Sequence, residues 1–134
     1  MPASIMKRLT LLLCLCALLV ACGSDDLPHS DYFIVGFLPN TPALSDGGLD
    51  ALDHAVRQAG RHAPSSIAVS SAAPESGVLP ELAQQRIAAI TQAFVRGGVD
   101  LRLVRNETRT YDAKSYAALK DSVILQLGYG MPAP

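Results

Sequence analysis

The chain has 134 residues, of which 49% are hydrophobic and 17% charged, with a formal net charge of −1. That length holds one domain of ordinary size. The near-zero charge excludes the basic excess of a general nucleic-acid binder. The absence of Trp and the presence of only three Phe and four Tyr leave little for an aromatic platform under bases or sugars.

Lys7 and Arg8 precede an uncharged run from Leu9 to Val20, LTLLLCLCALLV. Twelve residues are too few to span a bilayer, which takes about 20. A basic start, a short apolar run and small residues after it make a secretory signal. Leu19-Val20-Ala21-Cys22, followed by Gly23, is similar to a bacterial lipobox. There the Cys sulfur receives a diacylglyceryl group and cleavage follows just before it. The alternative is an ordinary signal peptide with a chance Cys. The expected organisation is signal peptide 1–21, tether 22–30, one domain 31–128 and a disordered tail 129–134. Gly23, rather than Asp, after Cys22 favours the outer membrane over the inner by resemblance to sorting rules. Cys14 and Cys16 leave with the signal, so the mature chain has no thiol for a disulfide or a Cys metal site. Each buried acyl methylene contributes ~0.8 kcal/mol, so two or three chains give lasting attachment. The tether CGSDDLPHS reaches at most ~30 Å, which keeps the domain close to the membrane.

The mature chain reads as alternating strands and helices. Asp31–Leu38 (DYFIVGFL) is a buried strand ended by Pro39. Ser45 is the N-cap of a helix whose stripe is Leu49, Leu52, Val56 and Ala59, with Gly60 at its C-terminal turn. His54 lies opposite this stripe and should face solvent. Ser66–Ser70 is a short strand and Ala72–Val78 a loop. Pro80 and Glu81 suit the start of a second helix. Its stripe is Ala83, Ile87, Ile90 and Phe94, and Gly97-Gly98 ends it. Val99–Val104 is a strand, Arg105–Ala118 polar and irregular, and Ser122–Leu127 (SVILQL) the last strand. The order β-α-β-α-β-β implies an α+β two-layer sandwich, with helices on one face of the sheet.

Charge is uneven along this chain. Cys22–Glu81 carries two basic and eight acidic residues, Leu82–Pro134 seven basic and four acidic. Chemistry-bearing patterns are absent. The three histidines, His29, His54 and His62, form no H-x-x-x-H pair, and no metal site or cofactor is expected. Ser70, Ser71 and Ser76 lack a nucleophile elbow. No base–nucleophile pair is apparent, so the chain is expected not to be an enzyme.

Leu82-Ala83-Gln84-Gln85-Arg86-Ile87-Ala88-Ala89-Ile90, with Phe94 and Gly97-Gly98-Val99 behind it, resembles the helix of OmpA-like domains, as DYFIVGFL resembles their first strand. Arg86 falls on that family's helix Arg. The resemblance covers Tyr32–Leu127. It implies an envelope protein whose non-catalytic domain holds the diaminopimelate group of peptidoglycan, with Arg86 on a carboxylate and a loop Asp on the amine. Here Pro74 stands where that Asp belongs, and Glu75, one position off, is the candidate replacement. The other reading of Arg86 is a guanidinium that covers apolar surface or pairs with a nearby acid. Pro74-Glu75-Ser76-Gly77 and Gly98-Val99 are also similar to the layout of lipoproteins of tight-adherence pilus assembly, which implies a protein partner in an envelope machine. The expected contacts are therefore membrane lipid through Cys22, together with peptidoglycan or an envelope protein.

Overall fold

A computed structural model of the chain describes residues 27–130, and the expected signal segment, Cys22 and the start of the tether lie outside them. β1, His29–Gly36, and β4, Ser122–Tyr129, pair antiparallel, with Phe33 opposite Leu125 and Val35 opposite Val123. β2, Ser66–Ala73, lies on the other side of β4 in antiparallel register, Val69 opposite Leu125. β3, Val104–Thr110, runs parallel to β2 at the sheet's edge, Ile67 opposite Val104. The sheet order is β1-β4-β2-β3. Side chains alternate between faces along each strand. One face therefore carries Phe33, Val35, Ile67, Val69, Val123, Leu125 and Leu127, and the other carries Tyr32, Ile34, Ala68, Ser70, Ile124 and Gln126.

The helices α1, Asp46–Arg61, and α2, Glu81–Arg96, cover the first face. Ser45 caps α1 as expected, its hydroxyl accepting from the Gly48 N–H at 3.0 Å and donating to the Gly36 carbonyl at 3.0 Å. The buried stripe is Gly48, Leu52, Ala55 and Ala59, with Val56 partly buried. Leu49, expected inside, is 55% exposed. The reason lies in β1: a Cβ on Gly48 would sit 1.8 Å from the Gly36 carbonyl oxygen. The helix packs its glycine against the strand, which rotates Leu49 outward. Gly60 does not end the helix, which runs to Arg61 with His62 as its C-cap. In α2, Ile87, Ile90 and Phe94 are buried as expected, and Ala83 is half-buried. Gly98 follows the helix at φ 80°, a left-handed turn that glycine adopts without a Cβ penalty.

The C-terminal third differs in its elements. Val99–Val104 is not a strand. The Asp100 carboxylate accepts from the Arg102 N–H at 3.0 Å and starts a 3-10 turn over Leu101–Leu103. The Arg102 guanidinium beside it holds the Asp100 carboxyl below the ordinary carboxylate range. The strand is β3, within the segment expected to be irregular. As an edge strand with no helix of its own over it, it needs few apolar residues. A third helix, α3 (Ala113–Leu119), follows. Asp112 caps it, accepting from the Ser115 N–H at 2.7 Å, and that bond lowers the Asp112 pKa. Both ends of the domain are longer than expected. His29 and Ser30, placed in the tether, pair with Tyr129 and Gly128, and Tyr129, placed in the tail, closes β4.

Candidate functional site

Arg86 stands on the first half of α2, two turns before Phe94, and is 2% exposed. Its guanidinium lies over the Phe37 ring, 5.0 Å from the centroid. Nε donates to the Thr41 carbonyl at 2.9 Å and Nη1 to the Lys120 carbonyl at 2.8 Å. Nη2 donates to the Leu38 carbonyl and to Asp121 Oδ1, both at 3.0 Å. Four of the five N–H groups of the fork are thereby used. The partners come from the β1–α1 loop and from the turn between α3 and β4, so one side chain ties α2 to both. The acid that neutralises it, Asp121, is 30% exposed. This is the arrangement of the second sequence reading, a guanidinium over apolar surface and paired with an acid.

The structure does not bring Glu75 to Arg86. Glu75 is exposed at the tip of a tight turn closed by the Gly77 N–H on the Pro74 carbonyl at 2.8 Å, with Gly77 at φ 74°. None of the polar contacts of Arg86 is with it. Sequence reasoning missed the receptors of the guanidinium, because three of the four are main-chain carbonyls, which any residue provides. Asp121 was readable only as one acid among four in its half of the chain.

Two grooves are open on the domain, one beside α2 and one at the far end of the strands from Arg86. One, of about 520 Å³, runs between α2 and β3 and is lined by Leu79, Gln84, Ile87, Ala88, Thr91, Gln92, Asn106 and Thr108. It offers amides, hydroxyls and aliphatic surface, and no charge. The other, of about 460 Å³, lies at the start of β1. There Gln58 Nε2 donates to Asp31 Oδ2 and, at 3.3 Å, to the Tyr129 hydroxyl. The His29 ring stacks on Tyr129 at 4.9 Å. His62 lines the same groove, and His54, exposed, tilts against Phe33 at 6.2 Å. Among the described residues no set of three His, Cys, Asp or Glu is placed to hold a metal ion. No serine hydroxyl there donates to a histidine. Both grooves can hydrogen-bond a polar ligand, and neither presents an activated nucleophile.

The backbone arrangement is shared with solved structures. The OmpA-like domain of FopA1 from Francisella tularensis superposes with a TM-score of 0.58 at 17% identity, over 75% of this chain and 73% of that one. The described residues have the OmpA-like fold. The periplasmic domain of Helicobacter pylori MotB matches this OmpA-like domain with a TM-score of 0.51 at 10% identity, over 82% of this chain and 78% of that one. The cell wall anchor of the T6SS from Pseudomonas aeruginosa matches with a TM-score of 0.50 at 12% identity, over 73% and 80%. No protein-family model and no curated protein sequence matches the chain. The shared property is thus the three-dimensional arrangement of the backbone.

Proposed function

We propose that the chain is a bacterial envelope lipoprotein, anchored in the outer membrane through acylated Cys22, whose OmpA-like domain is a non-catalytic docking module. The observation that carries this reading is an OmpA-like fold beginning seven residues after a lipobox-like Cys. Similar structures in a periplasmic domain and a cell wall anchor support an envelope location. Labelling cells with an alkyne fatty acid tests the anchor. The wild-type chain takes up label, and Cys22→Ala remains an unlabelled precursor with its signal segment. Label persisting on Cys22→Ala defeats the anchor.

Two ligands compete for the domain, the peptidoglycan stem and a protein partner of an envelope assembly such as a tight-adherence pilus. The enclosed Arg86 favours the protein partner. To grip a stem carboxylate, Arg86 would have to give up bonds to its own chain, and Pro74 supplies no carboxylate for the amine. Incubation with diaminopimelate-containing sacculi decides between them. The expected result is no more protein in the sacculus pellet than for an unrelated soluble protein. Binding that Arg86→Lys abolishes, without loss of fold, returns the peptidoglycan reading with Arg86 and Glu75 as its site.

A further inference from the structure

The second face of the sheet is covered at one end only. α3 reaches it through Leu119, while Tyr32 and Ile34 on β1 remain 64% and 66% exposed. Between them lies a notch of about 40 Å³, lined by Ile34, Ile124, Leu119, Tyr111 and Arg109 among others. Arg105, four residues before Arg109 and on the same face, is held by Glu107 at 3.1 Å. The Arg109 side chain makes no ion pair or hydrogen bond among the described residues. The face therefore offers an apolar depression beside an uncommitted cation.

The complementary shape stands on the other side of the same molecule. Asp46, Leu49, Asp50 and Asp53 follow one another at i, i+3, i+4 and i+7 and so share one stripe of α1. All four are exposed. Asp53 pairs with Arg57 at 3.2 Å, and Asp46 and Asp50 have no cationic partner among the described residues. A single exposed leucine is unremarkable by itself. Here it is a knob set among three carboxylates, in a chain that elsewhere leaves an apolar notch beside a free Arg.

We propose that the acidic ridge of α1 docks on the open sheet face of a second copy of this chain. Leu49 enters the notch at Ile34, and Asp50 meets Arg109. Ridge and notch lie on opposite sides of the domain, so each contact leaves one ridge and one notch free. Such a heterologous contact continues into a file of copies instead of closing as a dimer. The N-terminal chain enters at Leu27, at the start of β1. Stacking along the sheet normal keeps that end of every copy on one side, where short tethers reach a common membrane. This rests on the docking-module reading, and fatty-acid labelling of the same sample separates a failed anchor from a failed contact.

The mature chain has no thiol besides Cys22, so introduced cysteines report cleanly. The full chain carrying both Leu49→Cys and Ile34→Cys is expressed in a bacterial envelope and treated with a short bis-maleimide. The expected product is a ladder of dimers, trimers and longer species. Each single variant alone stays monomeric, and the two co-expressed stop at a dimer. Arg109→Glu added to the double variant removes the ladder, and Asp50→Arg added to that restores it. Dimers from Ile34→Cys alone mean that β1 edges pair about a two-fold axis and overturn the proposal. Dimers from Leu49→Cys alone, or no cross-linking at all, overturn it as well. Both cysteines replace exposed side chains, so misfolding does not mimic the negative result.

Discussion

Replacing Arg86 by methionine is expected to destabilise the domain by ~3–5 kcal/mol, the range for breaking a buried ion pair from one side. Three carbonyls, from Leu38, Thr41 and Lys120, lose their donors together, and a buried acceptor left unpaired costs ~1–3 kcal/mol. These terms overlap because the loops can relax towards water, so the lower range governs. Methionine keeps the apolar packing against Phe37, which isolates the loss of the fork. Arg86→Lys keeps the charge but offers one compact ammonium in place of a planar fork, so it cannot serve receptors on both sides. It should fall between wild type and Arg86→Met. Asp121→Asn should cost less than either, because Asp121 is part-exposed and water can replace it. Thermal melts of residues 27–134 as a soluble domain give all three values. An unchanged melting temperature in Arg86→Met would mean that the guanidinium is free for a ligand and that the clamp is unimportant.

This outcome matters for function because the same residue carries the family resemblance. A side chain that holds three segments together serves the fold whether or not a ligand is bound. Its presence at the family position is therefore weak support for a stem-peptide site. The loop on the amine side leads the same way, since Pro74 has no charge and Glu75 turns to solvent.

What the sequence made legible follows from what each element buries. β1, β2, β4 and α2 show their apolar periodicity because each puts a row of side chains into one core. α1 is legible in existence, cap and the inward Leu52 and Ala59, but its first inward residue is Gly48 and not Leu49. A glycine has no side chain to register in a hydropathy pattern, so the pattern passes over Gly48 and points to Leu49 as the inward residue. Only the approach of Gly36 decides the rotation. β3 was invisible for another reason. VRNETRT has one apolar residue, because an edge strand pairs through its backbone and exposes most of its side chains. α3 had a readable cap in Asp112 and Ser115, but no stripe strong enough to mark it. The Arg86 clamp depends on carbonyls that arrive from Leu38, Thr41 and Lys120, which are distant in sequence and carry no signature there.

Phe94→Ala should produce a loss of similar size from a different source. Phe94 is fully buried and is the largest fully enclosed side chain of the domain. It sits on the stripe of α2 with Ile87 and Ile90, in one core with Val35, Leu52 and Leu125. The helix end folds back on it, the Val99 N–H donating to the Phe94 carbonyl at 3.0 Å. Truncation to alanine removes the transfer energy of the ring and leaves a cavity, together ~3–5 kcal/mol. Domains of this size have about 5–15 kcal/mol in total, and 1 kcal/mol shifts the melting temperature by roughly 4–8 °C. A fall of about 12–40 °C is expected, with sharp cooperativity retained if the sheet still folds as a unit. Phe94→Leu, which refills most of the volume, should recover more than half of it. The comparison with Arg86→Met then separates the two ways this helix is held. Phe94 acts through non-directional burial, so Phe94→Leu is a partial rescue. Arg86 acts through directed bonds, so Arg86→Lys rescues poorly. Equal recovery by both conservative variants would show that Arg86, too, contributes mainly by filling space over Phe37.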